Sequence, residues 1–187
     1  MGSAGTEESF LSMNGMAPSI LHIATHGFYF TPNVAEKLNY LSGYQDAMML
    51  SGLVFSGANA AWRGHDTPER SLDGILTAEE ISHLDLSGVE MAVLSACQTG
   101  QGKATPEGLY GLQRAFKKAG VKTLIMSLWN VSDKVSSEFM IEFYKQLVNP
   151  KKSENRWNKR KAFNEAKRKI RQKHDDPYYW APFIMLD

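Results

Sequence analysis

A chain of 187 residues, 43% hydrophobic and 22% charged, has the make-up of one globular domain of α/β size, long enough to bury a core. Its 21 Lys and Arg residues offset 20 Asp and Glu to leave a formal charge of +1, which excludes a global field that would recruit nucleic acid or an anionic membrane. The single cysteine excludes an intramolecular disulfide and fits a reducing compartment, and without a signal-like leader or an apolar run near the roughly 20 residues of a membrane helix, the expected location is cytoplasmic.

The first four residues, "MGSA", read as a cloning remnant, and residues 5–187 as one domain. "SILHIATHG" (19–27) predicts a short buried strand, Ile20, Leu21, Ile23 and Ala24, ending at a histidine and a glycine. "MMLSGLVFSGAN" (48–59) alternates as a strand broken by Gly52, one arm of a hairpin. "AWRGHDTPERSLDG" (61–74) is turn-rich and polar and reads as a surface loop. "TAEEISHL" (77–84) opens with the Thr-x-x-Glu capping box of a short helix.

"VEMAVLSAC" (89–97) predicts a second buried strand and "VKTLIMSLW" (121–129) a third. Between them, Thr105 as N-cap, Pro106 as first residue and Gly120 as C-cap bracket a helix. Strand, helix, strand with short links is a βαβ unit, so the fold class is α/β, a three-layer α/β/α sandwich around a mostly parallel sheet. "DKVSSEFMIEFYKQLV" (133–148) predicts a helix N-capped by Asp133, with Val135, Phe139, Ile141, Phe143 and Leu147 along one side. The basic run at 158–174 carries an apolar stripe of Ala162, Phe163, Ala166 and Ile170, and predicts a solvated amphipathic helix rather than a phosphate-binding surface. "YYWAPFIMLD" (178–187) reads as an edge strand or an apolar tail across the core.

In a parallel α/β sheet, functional groups collect beyond the carboxyl ends of the strands. That rule puts His26, Cys97 and "WNVSD" (129–133) on one edge, with an imidazole beside a thiol as a candidate base and nucleophile. Gly27 and Gly100 leave room for a substrate backbone, and the N–H groups of Gly27 and Cys97 are candidate oxyanion donors. Two readings of Cys97 stand at this point: a buried, inert strand-end residue, or a nucleophile. The five histidines lack ligand spacing and one cysteine makes no thiolate cluster, so neither a metal nor an organic cofactor is expected.

Six segments in order, "LHIATHGF" (21–28), "DGILTAEEI" (73–81), "VLSACQTGQG" (93–102), "EGLYGLQRAFKKAG" (107–120), "SLWNVSD" (127–133) and "YYWAPF" (178–183), resemble the CHAT domain family. These domains are often joined to tetratricopeptide repeats and are similar to the caspase, legumain and separase clan of cysteine peptidases. The resemblance implies a caspase-like fold, a catalytic dyad of His26 and Cys97, a protein or peptide substrate, and a tetratricopeptide-repeat region elsewhere in the full-length chain. It also implies that the family's opening strand and helix lie upstream of residue 5.

"SLWNVSD" lies where such peptidases pair an edge segment with the substrate backbone, which makes Ser127, Trp129 and Asp133 candidate substrate-binding residues. In separases a similar stretch supplies an acid for a basic P1 side chain, which implies cleavage after Arg or Lys through Asp133. Asp133 is also a natural helix N-cap, and one residue can serve both ends. Some relatives carry a second acid two positions before the cysteine, where this chain has Ser95. Arg63 and Arg70 are self-cleavage candidates on a loop that also reads as a plain solvated connection. The competing functional reading is a non-catalytic or partner-activated signalling domain that keeps the fold.

Overall fold

The computed structural model describes residues 5–29, 48–59, 72–95, 106–148 and 158–187, with backbone alone for 106–110. Cys97, Gly100, Thr105, Arg63 and Arg70 lie outside these residues.

The central sheet holds β1 (Ile20–Ile23), β5 (Met91–Leu94), β6 (Thr123–Ser127) and β7 (Phe183–Leu186) in the order β1-β5-β6-β7. The first three run parallel, and β7 closes one edge antiparallel to β6. A second, antiparallel sheet of β2 (His26–Tyr29), β3 (Ser51–Val54) and β4 (Ile75–Thr77) follows the order β2-β3-β4. The helices are α1 (Glu7–Leu11), α2 (Ala78–Ser82), α3 (Pro106–Lys118), α4 (Asp133–Leu147) and α5 (Lys159–Lys173). This is the expected α/β architecture with a mostly parallel central sheet.

Strand alternation divides the core between the two faces of that sheet. Leu21, Ile23, Ala92, Leu94, Leu124 and Met126 pack with Ile81, Leu112 and Phe116 from α2 and α3. Ile20, Met91, Val93, Ile125, Phe183 and Met185 pack with Val135, Phe139, Phe143, Phe163 and Ile170 from α4 and α5. Phe139 lies parallel to Phe183 at 4.0 Å between ring centroids and meets Phe163 edge-on at 5.4 Å. Each ring thus adds a specific contact to its burial.

Local signals explain the element ends. Gly120 takes φ +100° after α3, and its N–H and that of Val121 donate to the carbonyls of Lys117 and Phe116, the double bond of a Schellman cap. Thr77 and Glu80 form the predicted capping box at α2. In α5 the stripe Ala162, Phe163, Ala166 and Ile170 is buried as predicted, while Lys159, Lys169 and Lys173 reach Glu90, Glu142 and Glu138. The basic surface is largely matched by carboxylates. No helix among the described residues is long and apolar enough to cross a membrane.

Three expectations need correction. Gly52 does not break its strand: it lies inside β3, where an added Cβ would sit 2.3 Å from the Leu76 carbonyl oxygen and 2.8 Å from the Phe28 ring, so glycine permits the close approach of β4 and β2. Ile141 is 49% exposed, and Met140 takes its place in the buried face of α4. Residues 177–179 form a 3-10 turn, so only the end of the apolar tail is strand, the edge strand β7. Helix α1, which the sequence reading did not anticipate, is capped by Thr6, whose Oγ1 accepts from the Ser9 N–H at 3.1 Å.

Candidate active site

The two strands that lead to the candidate dyad are paired in register, with Ile20, Leu21, His22 and Ile23 beside Met91, Ala92, Val93 and Leu94. The Ser95 N–H continues the ladder, donating to the Ile23 carbonyl at 2.9 Å. His26 follows Ile23 by three positions and Cys97 follows Leu94 by three. His26 is exposed and opens β2 opposite Val54, and Gly27 is buried opposite Leu53. The Thr25 hydroxyl, between the two strands, donates to the Val54 carbonyl and ties the His26 turn to β3.

Beside this edge, between the ends of β1, β5 and β6 and helix α4, lies a cavity of about 490 Å³. Its polar wall consists of His22, Ser95, Ser127, Asp133, Ser136, Ser137 and Tyr144, and Ala24, Leu94, Met126, Met140, Ile141 and Phe183 complete it. Of the residues predicted to bind substrate, Ser95, Ser127 and Asp133 are thus brought to one space. Trp129 is not among its lining: its indole N–H donates to the Tyr178 carbonyl at 3.0 Å, and the Tyr178 hydroxyl donates back to the Asn130 carbonyl at 2.7 Å. These bonds, with Ser127 Oγ donating to the Trp129 carbonyl at 2.6 Å, fasten the segment after β6 to the 3-10 turn.

Asp133 is not the N-cap of α4. That position belongs to Ser132, whose hydroxyl accepts from the Val135 N–H at 3.4 Å. Asp133 stands in the first helical turn, exposed and facing the cavity, where the helix dipole favours its charge. Capping of the helix is thus done by its neighbour.

The sequence reading missed His22 and Tyr144. Alternation along β1 sends Leu21 and Ile23 into one core and turns His22 to the α4 side. There its Nδ1 is 3.0 Å from the Tyr144 hydroxyl and its Nε2 3.1 Å from Ser95 Oγ, with the two rings stacked at 5.7 Å. Burial pushes the His22 pKa below its usual 6.5 and the Tyr144 pKa above its usual 10.0. The available signal was a histidine at a strand position whose neighbours on that face are apolar.

The chain matches the CHAT domain family over residues 1–187. It is similar to tetratricopeptide repeat protein 28 of mouse, 30% identical over 200 residues, and of human, 32% identical over 199. Each alignment covers 100% of this chain and 8% of the relative, so the chain spans a small part of those proteins.

Proposed function

The chain belongs to the CHAT domain family, and from that premise we propose that it is a cysteine endopeptidase. The observation that carries this reading is the register of β1 and β5: Ile23 pairs with Leu94, and His26 and Cys97 each follow by three positions. The Cys97 thiolate attacks the scissile carbonyl and forms a thioester as the amine departs with a proton from His26. Water then attacks the thioester, His26 takes its proton, the carboxylic acid leaves and the thiol is regenerated. The N–H groups of Gly27 and Cys97 are the donors assigned to the oxyanion.

The cavity is the assigned P1 pocket. Its carboxylate at Asp133, ringed by hydroxyls, suits the charge and donor geometry of Arg or Lys, and its volume accommodates a long side chain. Ser127 and Trp129 lie on the segment assigned to the substrate backbone. The full-length protein is proposed to carry tetratricopeptide repeats, as its relatives' names state of them, to recruit substrate in the cytoplasm, where reducing conditions keep a lone thiol available.

The test is covalent labelling by a peptidyl electrophile with Arg at P1, followed by profiling of a peptide library. Cys97→Ala is expected to abolish labelling and to lower cleavage at least about 10³-fold. Asp133→Asn is expected to lower kcat/KM for Arg substrates roughly 10- to 100-fold, since a hydrogen bond to a charged group contributes about 1.5–3 kcal/mol. No labelling of full-length protein would favour the signalling-domain reading, and an acidic or small apolar P1 preference would sink the basic pocket.

A further inference from the structure

His22 is not needed by the dyad, yet it holds the centre of the cavity's polar wall. Its two nitrogens join Tyr144 of α4 to Ser95 just beyond β5, and Ser95 occupies the position where some relatives hold a second acid. We infer that His22 is a specificity-determining residue of the pocket, its imidazole setting whether the Ser95 hydroxyl accepts from or donates to the side chain lodged there. The inference rests on the P1 assignment above and adds to it a residue and a switch.

A neutral imidazole has one N–H and one lone pair, so its two neighbours cannot be treated alike. If Nδ1 accepts from the Tyr144 hydroxyl, the Nε2–H donates to Ser95, whose own O–H is then turned to the cavity as a donor. If the Nδ1–H donates to Tyr144, Nε2 accepts from Ser95, whose remaining lone pairs then face the cavity. A guanidinium or ammonium group only donates, so it favours the second arrangement, in which both Ser95 lone pairs are free and the Ser95 O–H no longer points at it. A protonated ring donates on both sides and adds a positive charge to the space that Asp133 serves. Protonation therefore opposes a basic side chain twice, by charge and by hydrogen-bond polarity.

Among the described residues the titratable groups facing His22 are few. Helix α4 contributes Tyr144 in contact and Asp133 in the same cavity; the cavity residues of β5, β6 and β7 and of the position after β5 are Leu94, Met126, Ser127, Phe183 and Ser95, none of which titrates. His26 lies four positions on, at the start of β2. Burial favours the neutral ring, the state that a basic ligand requires.

Binding to Cys97→Ala protein separates this inference from catalysis. Two peptides are compared between pH 5 and 8, one ending in Arg at P1 and the other in citrulline, its neutral isostere. The preference for Arg is expected to fall as pH drops below the His22 pKa, approaching roughly tenfold per unit because only the neutral fraction binds the cation. His26 is present both with and without the His22 change, so its effect cancels when the slopes of the two proteins are compared. In Cys97→Ala/His22→Gln protein the ratio is expected to be flat. A flat ratio without the His22 change, or the same slope with it, overturns the inference, the latter pointing to Asp133. A second readout needs no His22 variant: the ring resonances of His22, titrated by NMR, are expected to show a lower pKa with the Arg peptide than with the citrulline peptide. Equal values overturn it. Failure of both peptides to bind at every pH removes the P1 assignment as well, an outcome distinct from binding with a flat ratio.

Discussion

The two faces of the central sheet are made by alternate residues of the same strands, and they end differently. The face under α2 and α3 is apolar to its rim, with Leu21, Ile23, Ala92 and Leu94 all buried. The face under α4 and α5 begins as densely, on Met91, Val93 and Ile125, then opens toward the strand ends where His22, Ser95 and Ser127 meet Asp133 and Tyr144. Polar side chains on that second face sit where they line the cavity. Beside the first core, against the residue before β4, lies the one buried carboxylate among the described residues, Glu7, with 3% exposure. Alternation decides which face a residue joins, and position along the strand decides where the second face gives way to the cavity.

The largest test of this contrast removes the base of the open face. Phe139 is fully buried, stacked on Phe183 and edge-on to Phe163. Phe139→Ala is expected to cost about 3–5 kcal/mol in urea unfolding, because the ring's contacts are lost and rigid neighbours cannot fill the space. A loss below about 1 kcal/mol would mean that the second face has no firm floor beneath its cavity.

The next test concerns the buried acid beside the closed face. Glu7 Oε2 accepts from the Gly74 N–H at 2.8 Å, and burial, with help from Glu80 and Asp73, raises its pKa from 4.5 to about 7. A pKa raised on folding means that the native state holds the proton more tightly than the unfolded chain. Its contribution is therefore favourable at low pH and is lost as pH climbs from about 4.5 through 7, by up to about 3 kcal/mol. His22, whose pKa is lowered, acts in the opposite sense, so the comparison is between the native sequence and Glu7→Gln. The variant keeps an acceptor for Gly74, and its urea midpoint, relative to the native one, is expected to gain between pH 5 and 8. No relative gain would show Glu7 to be solvated and the first face less closed than its packing implies.

Much of this contrast was legible in the residues. Apolar runs before His26 and Cys97 located the strands β1 and β5, and the stripe of α5 foretold its buried side. What escaped depended on neighbours distant in sequence. Gly52 reads as a break until β2 and β4 are set against it, since its need is for their close approach. His22 reads as one residue of a buried strand, and only the arrival of Tyr144, 122 positions away, gives its ring a role. Asp133 and Ser132 are both good N-caps, and one position of helix phase decides between them, which local pattern does not resolve.

That phase supplies the smallest and most discriminating test. Ser132 caps α4 through a long bond of 3.4 Å, so Ser132→Ala is expected to cost about 0.5–1 kcal/mol, the lower part of the range for caps. Asp133→Asn is expected to change stability by less, because an exposed carboxylate in the first turn contributes only a few tenths of a kcal/mol through the helix dipole. Their effects on substrate should be reversed, with P1 preference kept in the first variant and lost in the second. Urea midpoints and P1 profiles measured on both proteins check the pair. Should Asp133→Asn prove the more destabilising and leave P1 preference intact, the carboxylate belongs to the helix rather than the cavity, and the proposal of a basic P1 pocket on the open face falls.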